Sequence, residues 1–359
     1  MTDYRILVIN PGSTSTKLAY FAGEAEVFRE VLEHPAAELA AFPDIASQAG
    51  FRTSAVIGFI RGHGLDARGF DGFAARGGMM KPVRSGVYRI NAAMLADLAR
   101  SRERWGREHA SNLGPMIADR LAGEYRVPAF TADPVTVDEM AGVARLSGVP
   151  EISRKSMLHA LNVKAVFRRI AADSGLTPGE ARCVVAHLGG GITVAAVDGG
   201  RIIDVNNALL GMGPFSTTRA GALPIGDLAA LAFSGRYDLA GLGHKLVHES
   251  GLIGYTGTAD LRVVEARIAA GDADATVAHD AMAYQISKEI AAMAAVLEGR
   301  VDAVGLTGGM ANSGLLVGKI KDRAGFIADV MVYPGEFEME ALAMHARSAL
   351  SGGEVFEYA

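Results

Sequence analysis

Residues 183–219 read CVVAHLGGGITVAAVDGGRIIDVNNALLGMGPFSTTR, and the order of apolar runs and glycines in them sets the expected fold. An apolar run, 183–186, ends in His187-Leu188 and three glycines, Gly189, Gly190 and Gly191. A second run covers 192–197, Asp198-Gly199-Gly200 follows, and a third run covers 201–205. Asp-Gly and Gly-Gly pairs between apolar runs mark two-residue hairpins, because the favoured turns need φ > 0. The spacing predicts strand, glycine turn, strand, tight hairpin, strand. Glycines at the mouth of the first hairpin lack Cβ atoms, so their N–H groups can approach an anion closely.

The same layout occurs earlier. Residues 4–33, YRILVINPGSTSTKLAYFAGEAEVFREVLE, give an apolar run at 6–9, the small-residue turn Asn10-Pro11-Gly12-Ser13-Thr14-Ser15, and further runs at 17–21 and 25–31. An echo at this separation is not a solenoid repeat. It predicts two related domains, each opening with a three-strand antiparallel unit and a polar turn that could face a phosphate in a shared cleft.

Composition agrees. A chain of 359 residues is long for one core, so two domains are expected. The net charge of −5 argues against nucleic acid as the main partner, which needs a basic field. The single cysteine, Cys183, has no internal disulfide partner, and its place in an apolar run predicts a buried, inert thiol and a reducing compartment. No signal peptide and no membrane span is read, so a soluble cytoplasmic protein is expected.

Along the chain, residues 36–50 read as helix broken at Pro43, 54–60 as a strand, and 66–78 as a loop carrying Phe73 and Arg76. Arg76 there is either a solvated loop residue or a guanidinium offered by a glycine turn to a carboxylate or phosphate. Helices follow at 91–104, with Asn91 as N-cap, and at 110–124; a short strand at 127–131 ends before Asp133-Pro134. Asp133 is either a turn former or a carboxylate at a strand's carboxyl end, a position suited to Mg²⁺. Residues 154–172 read as an amphipathic helix with His159 and Asn162 on neighbouring positions, and 142–150 as the interdomain connection. Beyond Arg219, helices are expected at 225–235, 238–250, 260–270 and 278–297, the methionines of the last serving core or dimer contacts. A strand at 301–306 runs into Thr307-Gly308-Gly309 and a helix at Ser313, a phosphate or nucleotide pattern in physical terms. A last strand, 330–333, leads to Glu336, Glu338 and Glu340 and a terminal helix.

These motifs together resemble the acetate and butyrate kinase family, within the actin, Hsp70 and sugar kinase superfamily. The resemblance covers nearly the whole chain. It rests on VINPGSTSTK at 8–17, AHLGGG at 186–191, DVNNA at 204–208, GPFS at 213–216 with Arg219-Ala220-Gly221, and LTGG at 306–309. Gly190 stands where acetate kinases have Asn; that departure, the shorter chain, and RGGMMKP at 76–82 with RKSMLHALN at 154–162 resemble the butyrate kinase branch. The resemblance implies an α/β fold of two duplicated ribonuclease H-like (actin-like ATPase) domains around a cleft. The implied domains are 1–148 plus about 333–359 on the acyl side, and 149–332 on the nucleotide side with dimer contacts.

It also implies ATP-dependent phosphorylation of butyrate or a similar short-chain carboxylate, by reversible in-line transfer with Mg²⁺. A carboxylate is already a nucleophile at pH 7, so the catalytic task is positioning and charge neutralisation. By the resemblance, Asn10, Ser13, Ser15 and Lys17 form the first phosphate loop, and His187 with Gly189, Gly190 and Gly191 lines the β/γ-phosphate side. Asp133 holds Mg²⁺ or orients the reacting groups. His159 and Arg219 stabilise the phosphoryl in flight. Thr307, Gly308, Gly309 and Asn312 neighbour the adenosine, and one of Glu338 and Glu340 is the acidic Mg²⁺-side residue. The family's substrate arginine aligns with Phe73, so Arg76 is expected to take the carboxylate, with Phe73 on the acyl side. Isobutyrate, propionate or acetate are alternative substrates, since one methylene is worth only about 1–3 kcal/mol in an apolar pocket. A different class with this fold is the actin- or Hsp70-like ATP-driven switch, against which stands the lack of an appendage after the two domains. A homodimer or higher homo-oligomer is expected.

Overall fold

A computed structural model describes residues 3–106 and 108–359. They divide into two units, one running up to Val137 and taking back Phe337–Ala359, the other Asp138–Glu336. In the first unit the apolar runs become β1 (Arg5–Pro11), β2 (Ser15–Ala22) and β3 (Ala25–Glu33), followed by β4 (Gly72–Arg76), β5 (Val87–Arg89) and β6 (Ala129–Ala132). With the short C-terminal strand Phe356–Glu357 they form a seven-stranded sheet, ordered Phe356–Glu357, β5, β6, β4, β1, β2, β3. The first three strands are antiparallel, while β4 runs parallel to both β1 and β6. Leu7, Ile9, Phe73 and Ala75 pack into one core with Val56, Phe59 and Ile60 and with Leu113, Ile117 and Leu121. The helix Glu338–Leu350 packs against β1 and β4 as well and buries Met339, Leu342, Ala343 and Ala346.

The second unit repeats the plan. Strands β7 (Arg182–Leu188), β8 (Ile192–Asp198), β9 (Arg201–Val205), β10 (Ala303–Gly308) and β11 (Val330–Pro334) lie in the order β11, β10, β7, β8, β9. Here β7, β8 and β9 are antiparallel and β10 is parallel to both β7 and β11. The order β9-β8-β7-β10-β11 therefore matches β3-β2-β1-β4-β6. Even the register shifts correspond, at Tyr20/Phe21 and at Ala196/Val197. Gly199 and Gly200, at φ +56° and +80°, close the β8–β9 hairpin as the Gly-Gly pair requires. Met282, Ile286, Ile290 and Met293 of the helix Ala273–Val296 are buried in this unit's core. Cys183 is buried in β7, and burial pushes its thiol up to about 12.

Several local expectations are corrected. Residues 54–60 belong to the helix Ala49–Gly62, not a strand. Its buried positions, Ala49, Arg52, Thr53, Val56, Phe59 and Ile60, recur at three- and four-residue spacing, which the short apolar run taken alone conceals. Residues 66–78 are not a loop: they contain most of the short helix Leu65–Arg68 and all of β4, whose small residues carry no β-branched signal. Of residues 36–50, only Ala36–Leu39 and Ala46–Gln48 are helical before Ala49. The helix expected from 154 starts at Ala160, because Arg154 Nη2 is drawn to Asp204 Oδ1 at 2.7 Å and its Nη1 to the Ala144 carbonyl at 2.6 Å. Residues 142–150 lie within the second unit. The division falls before Asp138 because the next residues are tied inward: Asp138 to Arg145, Glu139 to the Ile202 N–H at 3.0 Å, and the Ala141 N–H to the Ile203 carbonyl at 2.9 Å.

Candidate active site

In parallel strands with helical crossovers, functional groups collect at the carboxyl ends. The first unit follows that rule. Ile9 of β1 is in register with Ala75 of β4, and Arg76 with Ala132 of β6. Asn10, Arg76 and Asp133 thus end three neighbouring strands. Asn10 and Arg76 share a partner, Glu338, in the first turn of the helix Glu338–Leu350. Asn10 Nδ2 donates to Glu338 Oε2 at 2.8 Å, and Arg76 Nη2 lies 3.3 Å from Glu338 Oε1. The Glu338 side chain is 2% exposed and that of Arg76 19%, so this pair is largely out of water. Glu340 points elsewhere, its Oε1 accepting from Arg29 at 2.8 Å. Of the two glutamates, Glu338 is the one gathered with Asn10 and Arg76.

Asp133 is held in a strained backbone conformation, φ +41°, where a non-glycine residue is uncommon. Its Oδ1 accepts from Ser85 Oγ at 2.6 Å and the Gly86 N–H at 2.9 Å. His345 Nε2 stands 3.4 Å from its Oδ2, within ion-pair distance but without hydrogen-bond geometry. Strain kept in place by several partners marks a position whose carboxylate direction matters.

Phe73 does not join this group. It lies three residues before Arg76, so its side chain is on the opposite face of β4. There it is fully buried, with ring centroids 5.0 Å from Phe70 and 5.8 Å from Tyr125. This corrects its expected place on the acyl side: alternation along the strand sends it into the core.

The Pro11-to-Ser15 turn joins β1 to β2 and is closed by the Gly12 N–H on the Ser15 carbonyl at 2.8 Å. Ser13 and Thr14 are exposed and Ser15 half-buried; Lys17 stands across from Asn10 in the hairpin register.

In the second unit, Thr193 of β8, His187 of β7 and Thr307 of β10 stand in one row across the sheet. Asn162, in the first turn of the helix Ala160–Asp173, covers that row. Its Nδ2 donates to His187 Nδ1 at 2.8 Å and to Thr307 Oγ1 at 3.3 Å. Accepting at Nδ1 assigns His187 the tautomer protonated at Nε2. The His159 ring stacks on His187, centroids 3.9 Å apart and planes 11° apart, and its Nδ1 meets Thr193 Oγ1 at 2.8 Å. His159 is the residue before the helix rather than within it, which corrects the expectation of a shared helical face with Asn162.

Gly190 presents its carbonyl to Ser216 Oγ at 2.6 Å, and Ser216 Oγ accepts from the Arg219 N–H at 3.2 Å. The glycine turn and the arginine loop are thereby tied together. Arg219 Nη1 donates to the Ala208 carbonyl. A Cβ on Gly191 would collide with the Arg219 guanidinium, so only glycine leaves room for it there. A small cavity of about 20 Å³ opens beside Arg219, lined by Ile192, Leu209, Leu210, Met212 and Pro214 and by the polar Asn206, Asn207 and Ser216. Gly308, at φ +88°, leads to the 3₁₀ turn Gly309–Asn312, where Gly309 and Asn312 are exposed. The Thr307 side chain is instead fully buried, donating to the Gly335 carbonyl at 3.1 Å; this takes it from the expected adenosine contacts into the His187 network.

Among the described residues, no group of three or more His, Cys, Asp or Glu side chains could by itself hold a metal ion. Mg²⁺ bound to nucleotide needs only one or two carboxylates, the phosphates and water supplying the rest. Asp133 fits that role, with Oδ1 fixed by Ser85 and Gly86. Glu338 fits less well, because Asn10 and Arg76 already occupy its two oxygens.

Arg52, Ser85, Thr193 and His345 did not emerge from the sequence. For Arg52 a signal existed, the three-and-four spacing of its helix; for the others only tertiary contact identifies them.

Residues 152–328 match the Acetokinase family. The chain is 45% identical over 352 residues to a probable butyrate kinase from Listeria monocytogenes serotype 4a (strain HCC23), covering 98% of each. It is similar in structure to an acetate kinase from Porphyromonas gingivalis, with a TM-score of 0.79 at 20% identity, covering 97% of this chain and 100% of that one. A propionate kinase from Francisella tularensis gives a TM-score of 0.76 at 18% identity, covering 95% and 98%. The fold is the duplicated actin-like ATPase fold that the repeated strand order describes.

Proposed function

The chain belongs to the acetokinase family and is a carboxylate kinase, and from that premise we propose that it phosphorylates butyrate, or a closely similar short-chain acid, with ATP to give the acyl phosphate and ADP. The observation that carries the choice of acid is the 45% identity, over 98% of both chains, to a probable butyrate kinase.

The carboxylate oxygen attacks the terminal phosphorus of ATP, one P–O bond forms as the bond to the ADP oxygen breaks, and no proton transfer is required. The protein's work is to neutralise and orient. In this reading Arg76, tuned by Glu338, contacts the carboxylate. Arg219, His159 and the Nε2–H of His187 face the phosphoryl oxygens. Asn10, Ser13, Ser15 and Lys17, and likewise Gly189, Gly190 and Gly191, are read as phosphate contacts. Gly308, Gly309 and Asn312 neighbour the nucleoside. Asp133 would hold Mg²⁺, which when bound offsets phosphate charge and fixes oxygen geometry. A homodimer or higher oligomer belongs to the same proposal, supported by the exposed apolar side chains Ile225, Phe233, Leu239 and Tyr255. Among the described residues no helix is long and apolar enough to cross a membrane; with the lone buried Cys183, this accords with a cytoplasmic setting.

The test is ATP with hydroxylamine and a panel of acetate, propionate, butyrate and isobutyrate. Butyrate is expected to give the highest kcat/KM for hydroxamate. A preference for acetate would overturn the choice of acid, and ADP release independent of any acid would support an ATP-driven switch instead.

A further inference from the structure

Arg52 lies on the buried face of the helix Ala49–Gly62 and is 1% exposed. All five of its N–H donors are used. Nη1 donates to the carbonyls of Gly12 at 2.8 Å and Ser15 at 3.0 Å. Nη2 donates to the carbonyl of Ser13 at 2.7 Å and to Gln48 Oε1 at 2.9 Å, and Nε to the same Gln48 oxygen at 3.2 Å. None of these acceptors is a carboxylate. Burial lowers the pKa of Arg52, and no acidic neighbour acts in the opposite direction. A cation in this position is satisfied in hydrogen bonds but not in charge, whereas buried charges are ordinarily paired.

The three carbonyls belong to the turn between β1 and β2. Every peptide bond described is trans, and in a trans peptide the carbonyl of one residue and the N–H of the next point in opposite directions. The carbonyls of Gly12 and Ser13 turn inward to Arg52. The N–H groups of Ser13 and Thr14 therefore turn outward, and both residues are exposed. A buried cation stands behind the turn and two backbone donors stand in front of it. That is the arrangement of an anion cradle with its counter-charge built in.

We propose that Arg52 is a positioning residue of the phosphoryl site: it holds the 12–15 turn so that the Ser13 and Thr14 N–H groups meet a phosphoryl oxygen, and the bound anion balances its buried charge. The inference rests on reading this turn as a phosphate loop. It reaches past that reading by assigning the loop's shape and charge to a side chain that never touches the ligand.

The test follows the amide resonances of Ser13 and Thr14 in ¹⁵N-labelled full-length protein titrated with inorganic phosphate at constant ionic strength. In the unsubstituted protein these amides are expected to shift and saturate. If they do not, the reading of the loop itself falls, and the role of Arg52 with it. Arg52→Met is expected to weaken the phosphate Kd at these amides at least about tenfold, the loss of one charge-assisted contribution. Added guanidinium ion is expected to restore part of it. An unchanged Kd in Arg52→Met, with the unsubstituted protein responding, would reduce Arg52 to a packing role. Arg52→Lys keeps the charge with three donors and guards against an unfolded methionine variant. It is expected to bind within a few-fold of the original, and loss of binding there would overturn the charge argument.

Discussion

Removing Arg76 separates its place as the counter-ion of Glu338 from its proposed contact to substrate. The pair is 3.3 Å apart with side chains 19% and 2% exposed. At an effective dielectric of about 20, two unit charges about 4 Å apart attract by about 4 kcal/mol. Breaking a buried pair from one side costs about 3–5 kcal/mol, because the remaining charge is left uncompensated. Glu338 keeps the Asn10 hydrogen bond at 2.8 Å, which brings the expected cost of Arg76→Met down to about 2–3 kcal/mol. Glu338→Gln is milder, about 1 kcal/mol, since Arg76 is partly hydrated. With neither charge present, the double variant is expected to lose only about 1–1.5 kcal/mol, a coupling of about 2–2.5 kcal/mol. Urea unfolding of the four proteins measures this cycle. Kinetics are expected to diverge from stability. Arg76→Met raises the acid KM or lowers kcat by about 10²-fold in total, and Glu338→Gln restores stability without restoring hydroxamate formation. If the double variant regains activity along with stability, Arg76 matters only as a counter-ion and its substrate role is refuted.

Two further outcomes follow from single positions. In Gly191→Ala the added Cβ meets the Arg219 guanidinium and stands 2.9 Å from the Ala208 carbonyl. Arg219 must leave its place, and kcat is expected to drop by about 10²-fold with a near-normal unfolding midpoint; an unimpaired kcat would show that Arg219 is not required there. His279 is buried, and burial first, then the nearby Lys319, hold its pKa below the usual histidine value. The unfolded chain therefore binds the proton more readily than the folded one, so stability is present above about pH 6.5 and is lost as the pH falls below that value. His279→Gln is expected to flatten the stability profile below pH 6.5, and an unchanged slope would assign that region to other groups.

The turns of the candidate site were legible because turns with special chemistry occupy fixed places after strands. The Gly-Gly and Asp-Gly hairpin, the Asn10-to-Ser15 turn and the Thr307-Gly308-Gly309 junction are local, and each follows an apolar run that pairs where expected. Glu338 and Glu340 could not be told apart in sequence, since both fall in the first turn of one helix. Contact with Asn10 and Arg76 on one side and with Arg29 on the other separates them. Phe73 and Arg76 appeared adjacent in a loop, yet β4 alternation sends one into the core and the other to the strand end. Reading 54–60 as a strand hid Arg52, because only a helix brings position 52 onto the same face as Val56 and Phe59.

By itself, then, the amino-acid order determined the duplicated meander, the strand-end turns and the family they belong to, all of which depend on neighbours within a few residues. Tertiary structure alone decided which side chains share charge and hydrogen bonds. Arg52 with Gly12, Ser13 and Ser15, Asn162 with His187 and Thr307, and Arg76 with Glu338 are joined across 25 to 262 positions in the chain. Such pairs form when parallel strands and their crossover helices bring distant segments to one edge, and no periodicity in the sequence records which donors will find which acceptors.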